Sequence, residues 1–472
     1  MISLALPEFL LAALLVLALA AYMFRHLGGW TPAGGALALV GLAVWILRGV
    51  SEGAATLLFS LFQVDMLVAV HWQGFVLQMT PNVAPVVVFM LLLGGAVLAL
   101  AAFVHQPDAF PAFALALVAG CIGFLLLREA PISPYLLTPG FLALVTALGV
   151  YPLQAGRLGD VSGALRFLLL PVLALPLFLL AAWYADQLAL NPQEAAASTA
   201  AARLLSFGLL LLLAPVPFHS AWPALVQRSP PLVGVLLTLV YQMIVLFILH
   251  RVAVAYPFVV TESNLSLWLT GTGVLTALWA GVAAVGASHP GRLLGYAFLH
   301  EWGLILLILA APGSRSWPLV LFLFVLRAVS GLTASVGLAY LAERTGNLDA
   351  DRLWGVGARL PWSTTAYVLG GLGLAGFPLT AGFTGHWAAL QMVAQIDWRV
   401  AAVVLLASAG IVVGFVRQVR ILFGPLADPF LAQERLRNGI VALLVILVST
   451  GLAIAPQLLD APIAWGLTAF GG

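Results

Sequence analysis

The chain contains no lysine: all 19 of its basic residues are arginine. Lysine can surrender its proton when buried, whereas a guanidinium stays charged in essentially every protein setting. Charge of either sign is scarce, since Asp, Glu, Lys and Arg together make up 8% of 472 residues, against about 25% in an ordinary soluble domain. With 63% hydrophobic residues and a mean hydropathy of +1.11, too little polar surface remains for a water-facing exterior. The composition therefore predicts an all-α integral membrane protein embedded in a lipid bilayer. A net charge of +2 and the absence of a basic stripe exclude nucleic acid as a partner. The single cysteine, Cys121, lies in an apolar run, which excludes an internal disulfide, a CxxC pair and a Cys-ligated iron–sulfur cluster. No redox cofactor or metal is expected in this chain, and redox chemistry would belong to partner chains.

Spanning a hydrocarbon core of ~30 Å takes roughly 20 apolar residues. About fourteen such runs can be marked, the first at 2–24 and the last at 438–457. Residues 53–84 are interrupted by Asp65, His71 and Gln73, and are read as an amphipathic or interfacial segment, with a fifteenth span as the alternative. Ala18-Leu19-Ala20 resembles a signal-peptidase site, but nothing basic precedes Arg25 and Glu8 occupies the would-be basic region, so an uncleaved first span is expected. Alternating loops divide the arginines unequally. Arg48, Arg128, Arg203, Arg251, Arg315 and Arg399 fall on one side, Arg327 lies inside a span, and the remaining twelve fall on the other side. Because cytoplasmic loops collect arginine, both termini are expected on the non-cytoplasmic side.

Two spans carry interior prolines conspicuously, one at Pro215 and Pro217 and the other at Pro378, five helices apart. A proline frees a backbone carbonyl that lipid cannot satisfy, and paired broken helices point to a transport path near the bilayer midplane. Charges at bilayer depth add to this signal. Glu301 lies mid-span, Arg327 lies deep in the next span, and each costs ~2.5–3.5 kcal/mol on insertion scales unless partnered. Each could serve as the other's partner. His386 follows the second break and His300 adjoins Glu301; both can titrate near neutrality. A purely structural role for these groups, and for His219, is the alternative.

The segments Leu213-Ala214-Pro215-Val216-Pro217-Phe218-His219 with Arg228-Ser229-Pro230-Pro231, then Gly291-Arg292-Leu293-Leu294-Gly295-Tyr296, then Leu374 to Trp387 resemble the antiporter-like membrane subunits of respiratory complex I. The resemblance spans roughly residues 110–425. It is fullest to subunit N of NADH-quinone oxidoreductase, followed by the Mrp-type cation/proton antiporter subunits. It implies two inverted five-helix repeats with broken helices. Residues 1–109 would hold N-terminal helices and the interfacial segment, 110–254 the first repeat, 265–423 the second and 424–472 a C-terminal helix. It also implies a bacterial-type inner membrane, other membrane subunits as partners, quinone reached only through those subunits, and proton or cation translocation driven by a partner's electron transfer.

Members of the family carry a glutamate in the fifth helix, lysines in the seventh and eighth, and lysine or glutamate in the twelfth. Laid on this chain, the seventh-helix position is Leu212 and the eighth is Gln242. The fifth-helix glutamate is replaced near Gly140 or Phe141, and only the twelfth-helix position, His386, is ionisable. The resemblance therefore implies a disabled N-terminal half-channel and a path through Gln242, Glu301, Arg327, His300 and His386. The alternatives are a non-conducting scaffold, or an antiporter or bicarbonate-uptake partner with the same fold.

Overall fold

The computed structural model describes residues 2–52, 56–58, 62–130, 132–147, 153, 162–190, 195–311, 316–426, 428 and 432–471. Arg157 and Arg315, which enter the topology reading, lie outside these residues. Among the described residues eleven helices are long and apolar enough to cross a membrane.

The chain opens with a short strand, β1 (Ile2–Ala5), followed by α1 (Leu6–Met23), where the sequence suggested one continuous span from residue 2. Pro7 in the first turn starts the helix without losing a hydrogen bond, because the first N–H groups have no intrahelical acceptor. Helix α2 (Trp30–Glu52) follows. Residues expected to form an interfacial or spanning segment instead build strands β2 (Thr56–Leu58), β3 (Phe62–Asp65), β4 (Val70–Trp72) and β5 (Phe75–Leu77). The physical reason is the two-residue period of Phe62-Gln63-Val64-Asp65, which suits a strand with one face inward; Val64 is buried. β3 pairs in parallel with β1 and antiparallel with β2. β5 pairs antiparallel with β4 and with β6 (Leu127–Glu129). These two small sheets are the departures from an otherwise helical membrane fold.

Helices α3 (Ala84–Ala101), α4 (Phe110–Leu126) and α5 (Thr138–Val145) come next. An apolar run marked in the sequence at 135–153 contains α5, and its residues 148–152 lie outside the described residues. α6 (Ser162–Leu190) contains Pro171 and Pro176. α7 (Ala195–Leu213) and α8 (Ala221–Arg228) are separated by the first proline segment. α9 (Pro231–Ala255), α10 (Leu265–Gly286), α11 (Pro290–Ala310) and α12 (Ser316–Thr345) are continuous. α13 (Pro361–Leu374) and α14 (Phe383–Ile396) flank the second proline segment, before α15 (Trp398–Leu422), α16 (Leu436–Ile454) and α17 (Asp460–Leu467).

Helices α9 and α11 form the centre, being enclosed by protein over almost their whole apolar windows, while α1, α2, α6 and α16 leave two thirds or more of theirs for lipid. In lipid, apolar burial gives little drive for helices to associate, so close backbone packing of small residues takes over. A Cβ added at Gly303 of α11 would come within 2.5 Å of the Ala277 nitrogen of α10, and one at Gly410 of α15 within 2.5 Å of the Gly281 carbonyl. These two crossings clamp α10 between α11 and α15. Since His300 lies one turn before Gly303 and Ser408 two residues before Gly410, the same crossings bring those side chains together.

Candidate functional site

The first helix break is built from neutral groups. Ala214, at φ +47°, turns the chain out of α7, and the carbonyls released there are met by indoles. Trp302 Nε1 donates to the Leu213 carbonyl at 2.7 Å and Trp222 Nε1 to the Ala214 carbonyl at 3.2 Å. The Val216 N–H donates to Thr276 Oγ1 of α10 at 2.9 Å. Pro215 and Pro217 lie in this segment, with Leu212 fully buried just before it. Phe141, near the missing fifth-helix carboxylate, stacks on Phe124 with ring centroids 4.2 Å apart. His219 is half-buried edge-on to Trp279, at the end of the segment.

The second break differs in kind. Pro378 lies between α13 and α14, where Gly376 and Leu379 both have left-handed backbones, at φ +70° and +69°. Gly376 is required there twice over, because a Cβ would also meet His386 Cγ at 2.4 Å. His386 Nδ1 lies 3.0 Å from the Gly382 carbonyl. A carbonyl can only accept, so Nδ1 carries the proton in this contact, and Nε2, buried and without a protein partner, is left as an acceptor. His300 faces it from α11, with ring centroids 6.2 Å apart and planes within 17°.

His300 has partners on both sides. Nδ1 is 3.3 Å from the Ala277 carbonyl and Nε2 is 2.8 Å from Ser408 Oγ, which itself donates toward the Val404 carbonyl at 3.2 Å. The serine hydroxyl has one proton. With a neutral ring protonated at Nδ1, that proton can satisfy either His300 or Val404; with an imidazolium, Nε2–H donates to the serine and the serine to Val404, so every acceptor is met. The contact set thus accommodates both protonation states.

Arg327 of α12 anchors the other end. Its Nη1 donates to the Phe298 carbonyl at 2.8 Å and lies 3.4 Å from Glu301 Oε2; its Nη2 donates to Gln242 Oε1 at 2.8 Å. The guanidinium also lies over the rings of Phe298 and Trp302, 4.8 and 5.6 Å from their centroids. Glu301 and Arg327 are fully buried and Gln242 is 1% exposed, so this charge pair has no contact with lipid. Glu301 Oε1, Arg327 Nε and, one turn along α12, Ser330 Oγ are buried with no protein partner. Each retains hydrogen-bonding capacity directed into the protein interior, where polar groups are normally paired with protein or ordered water. Among the described residues no three His, Cys, Asp or Glu side chains converge as metal ligands.

Sequence reasoning singled out Glu301, Arg327, His300, His386 and Gln242, and the structure places them around one interior from four helices. It passed over Ser408, Ser330, Thr276, Trp222 and Trp302. Of these, only Ser408, Ser330 and Thr276 are weakly marked, as hydroxyls inside apolar runs.

Comparison with known proteins follows the same lines. NADH-quinone oxidoreductase subunit N of Mycobacteroides abscessus is 30% identical over 278 residues, covering 54% of this chain and 51% of that protein. The chain thus spans about half the length of the curated relatives it matches. A subunit of the membrane-bound sulfane sulfur reductase, an archaeal respiratory membrane complex, shares its fold at a TM-score of 0.79 and 19% identity over 98% of this chain and 97% of that one. A subunit of respiratory complex I from Thermus thermophilus does so at 0.73 and 18%, over 97% and 99%. The family model described as "NADH:quinone oxidoreductase/Mrp antiporter, TM" matches residues 167–412, just over half of the chain and all of the helices that frame the buried charges, and the chain belongs to that family.

Proposed function

We propose that this chain is a membrane-arm subunit of a complex-I-like NADH:quinone oxidoreductase, and that it moves protons through its second half only. Its partners are other membrane subunits of such an assembly, which would hold the quinone and all redox centres. It sits in a bacterial-type inner membrane with both termini on the non-cytoplasmic side. The two proline breaks mark corresponding members of two inverted repeats.

The carrying observation is the contrast between the breaks. The first is closed by Trp222, Trp302 and Thr276 beside Leu212, none of which can take up or release a proton at neutral pH. The second opens onto His386, and beyond it lie His300, Glu301 and the fixed charge of Arg327. Gln242 occupies the position of a family lysine and serves as an acceptor for Arg327 rather than as a carrier. A partner's electron transfer would act on this file by shifting the electrostatic balance around the Glu301–Arg327 pair.

The test is to purify the native complex, reconstitute it in vesicles, and replace Glu301 and His386 separately by leucine. Proton movement per electron pair is expected to fall in both variants with the partner redox chemistry intact. Full pumping in both would establish a non-conducting scaffold and remove the assignment.

A further inference from the structure

A second polar region lies away from the buried charges, at one end of the bundle. A cavity of about 370 Å³ opens between the end of α4, strand β6, the segment 78–83 that leads into α3 and the last turns of α9. Its polar wall is Arg128, Arg251, Gln78, Asn82 and Tyr135. We propose that it binds a phosphate-bearing anion, supplied as the headgroup of an anionic phospholipid or as free inorganic phosphate.

Charge is the first argument. Among the described residues two guanidiniums line the cavity and no carboxylate does. Arg251 is held over the Phe247 ring, 5.0 Å from its centroid, and its Nε is buried with no protein partner. Arg128 donates to Gln78 Oε1 and has Glu129 3.6 Å from its Nε, with the two side chains 54% and 63% exposed, but only the arginine of that pair lines the cavity. One carboxylate beside two guanidiniums leaves a net positive charge, and arginine forks match phosphate oxygens in pairs. The negative ends of α4 and α9 are opposed there by the positive end of α3, whose N-cap, Val83, lines the cavity, although the first N–H groups of that helix already donate to the Thr80 and Val83 carbonyls.

Depth and shape are the second argument. Arg251 comes two residues after the apolar, enclosed stretch of α9 from Pro231 to Leu249, in the last turns of that helix, and Arg128 follows the last turn of α4. Both arginines therefore stand where a spanning helix leaves hydrocarbon for the headgroup layer. The inner wall is apolar, from Phe124, Leu125 and Ile248, so one end suits a phosphate and the other the first carbons attached to it. The volume falls within the ~300–1,000 Å³ common for small-molecule sites.

The experiment takes the full chain, delipidated in detergent, and follows thermal unfolding with added dioleoylphosphatidylglycerol, dioleoylphosphatidylcholine or inorganic phosphate at matched ionic strength. Phosphatidylglycerol is expected to raise the midpoint at a concentration at least tenfold lower than phosphatidylcholine. The difference should be lost in Arg251→Gln and in Arg128→Gln, but kept in Arg399→Gln, whose arginine lies elsewhere over Trp398. Stabilisation by phosphate alone identifies a free-anion site; stabilisation by the lipid but not by phosphate identifies a headgroup site. Phosphorus NMR of the unsubstituted chain with the same additives gives a reading that does not depend on the variants folding. Equal responses to the two lipids with none to phosphate, no broadening of any phosphorus signal, or unchanged selectivity in both arginine variants would overturn the proposal.

Discussion

Replacing Arg327 by methionine removes a charge while roughly keeping the side-chain length, and three partners lose their donor: the Phe298 carbonyl, Glu301 and Gln242. At 3.4 Å, and with an effective dielectric constant of ~20, the attraction between Arg327 and Glu301 is about 5 kcal/mol before the cost of desolvating both groups is subtracted. That subtraction leaves the intact pair worth little over an apolar replacement, whereas deleting one partner strands the other charge and costs about 3–5 kcal/mol. The expected pattern is therefore non-additive. Arg327→Met alone should destabilise by about 3–5 kcal/mol, and Arg327→Met with Glu301→Leu by less, the remainder reflecting the unpaired Gln242 oxygen at about 1–3 kcal/mol, since the Phe298 carbonyl keeps its helical donor within α11. Reversible unfolding in mixed micelles, read as a double-mutant cycle, measures the coupling directly. If the single substitution costs under about 1 kcal/mol, or if the double variant equals the sum of the singles, the pair is not an interdependent buried unit and the reasoning fails.

Two other substitutions probe how the surroundings are held. Gly376→Ala forces a side chain onto a backbone at φ +70° and into His386, so thermal unfolding should show a loss of about 1–3 kcal/mol. Gly271→Ala, on α10 with open space around the new methyl, should instead be neutral or stabilising by up to about 1 kcal/mol; equal losses in the two would refute the packing argument. His289 caps α11 by accepting the Gly291 N–H on Nδ1 at 3.1 Å, which requires a neutral ring. Burial holds its pKa below the usual histidine value, with Arg292 adding to the fall and Asp349 opposing it. The unfolded chain therefore binds the proton more readily than the folded one, so the cap's contribution of about 0.5–2 kcal/mol is complete above pH ~6.5 and shrinks as pH falls below it. Melting curves of His289→Asn, which retains an acceptor without titrating, should lose this part of the acid sensitivity; an unchanged pH profile would refute it.

What the sequence discloses follows from how local each cause is. The apolar runs of α9 and α11 leave only a spanning helix as an option, and Pro215, Pro217 and Pro378 mark breaks because a missing N–H is a property of one residue. Glu301 and Arg327 stand out for the same reason: charge at depth is costly whatever its neighbours. The partners of Ser408 and Trp302 were illegible because nothing about a serine or a tryptophan in an apolar helix announces a contact more than 80 residues away. The strands at 56–77 were hidden differently. Their alternation is only three or four residues long, and the partners of β3 and β5, namely β1 and β6, come from parts of the chain that read as helix ends.

The absence of lysine acquires its physical meaning at Arg327. A lysine there would offer a charge that can be given up, and its single ammonium would serve three acceptors from one point. The guanidinium spreads its donors, so that Nη1 reaches Phe298 and Glu301 on α11 while Nη2 reaches Gln242 on α9. It therefore ties three helices, α9, α11 and α12, with a charge that stays fixed. Any proton movement in the proposed reading must then fall to the groups around it: Glu301, with one oxygen unpaired, and the two facing imidazoles, one of which has contacts suited to both of its protonation states. A fixed cation beside them makes the energy of each added proton depend on the position of α12, which displacement of that helix by a neighbouring subunit would change.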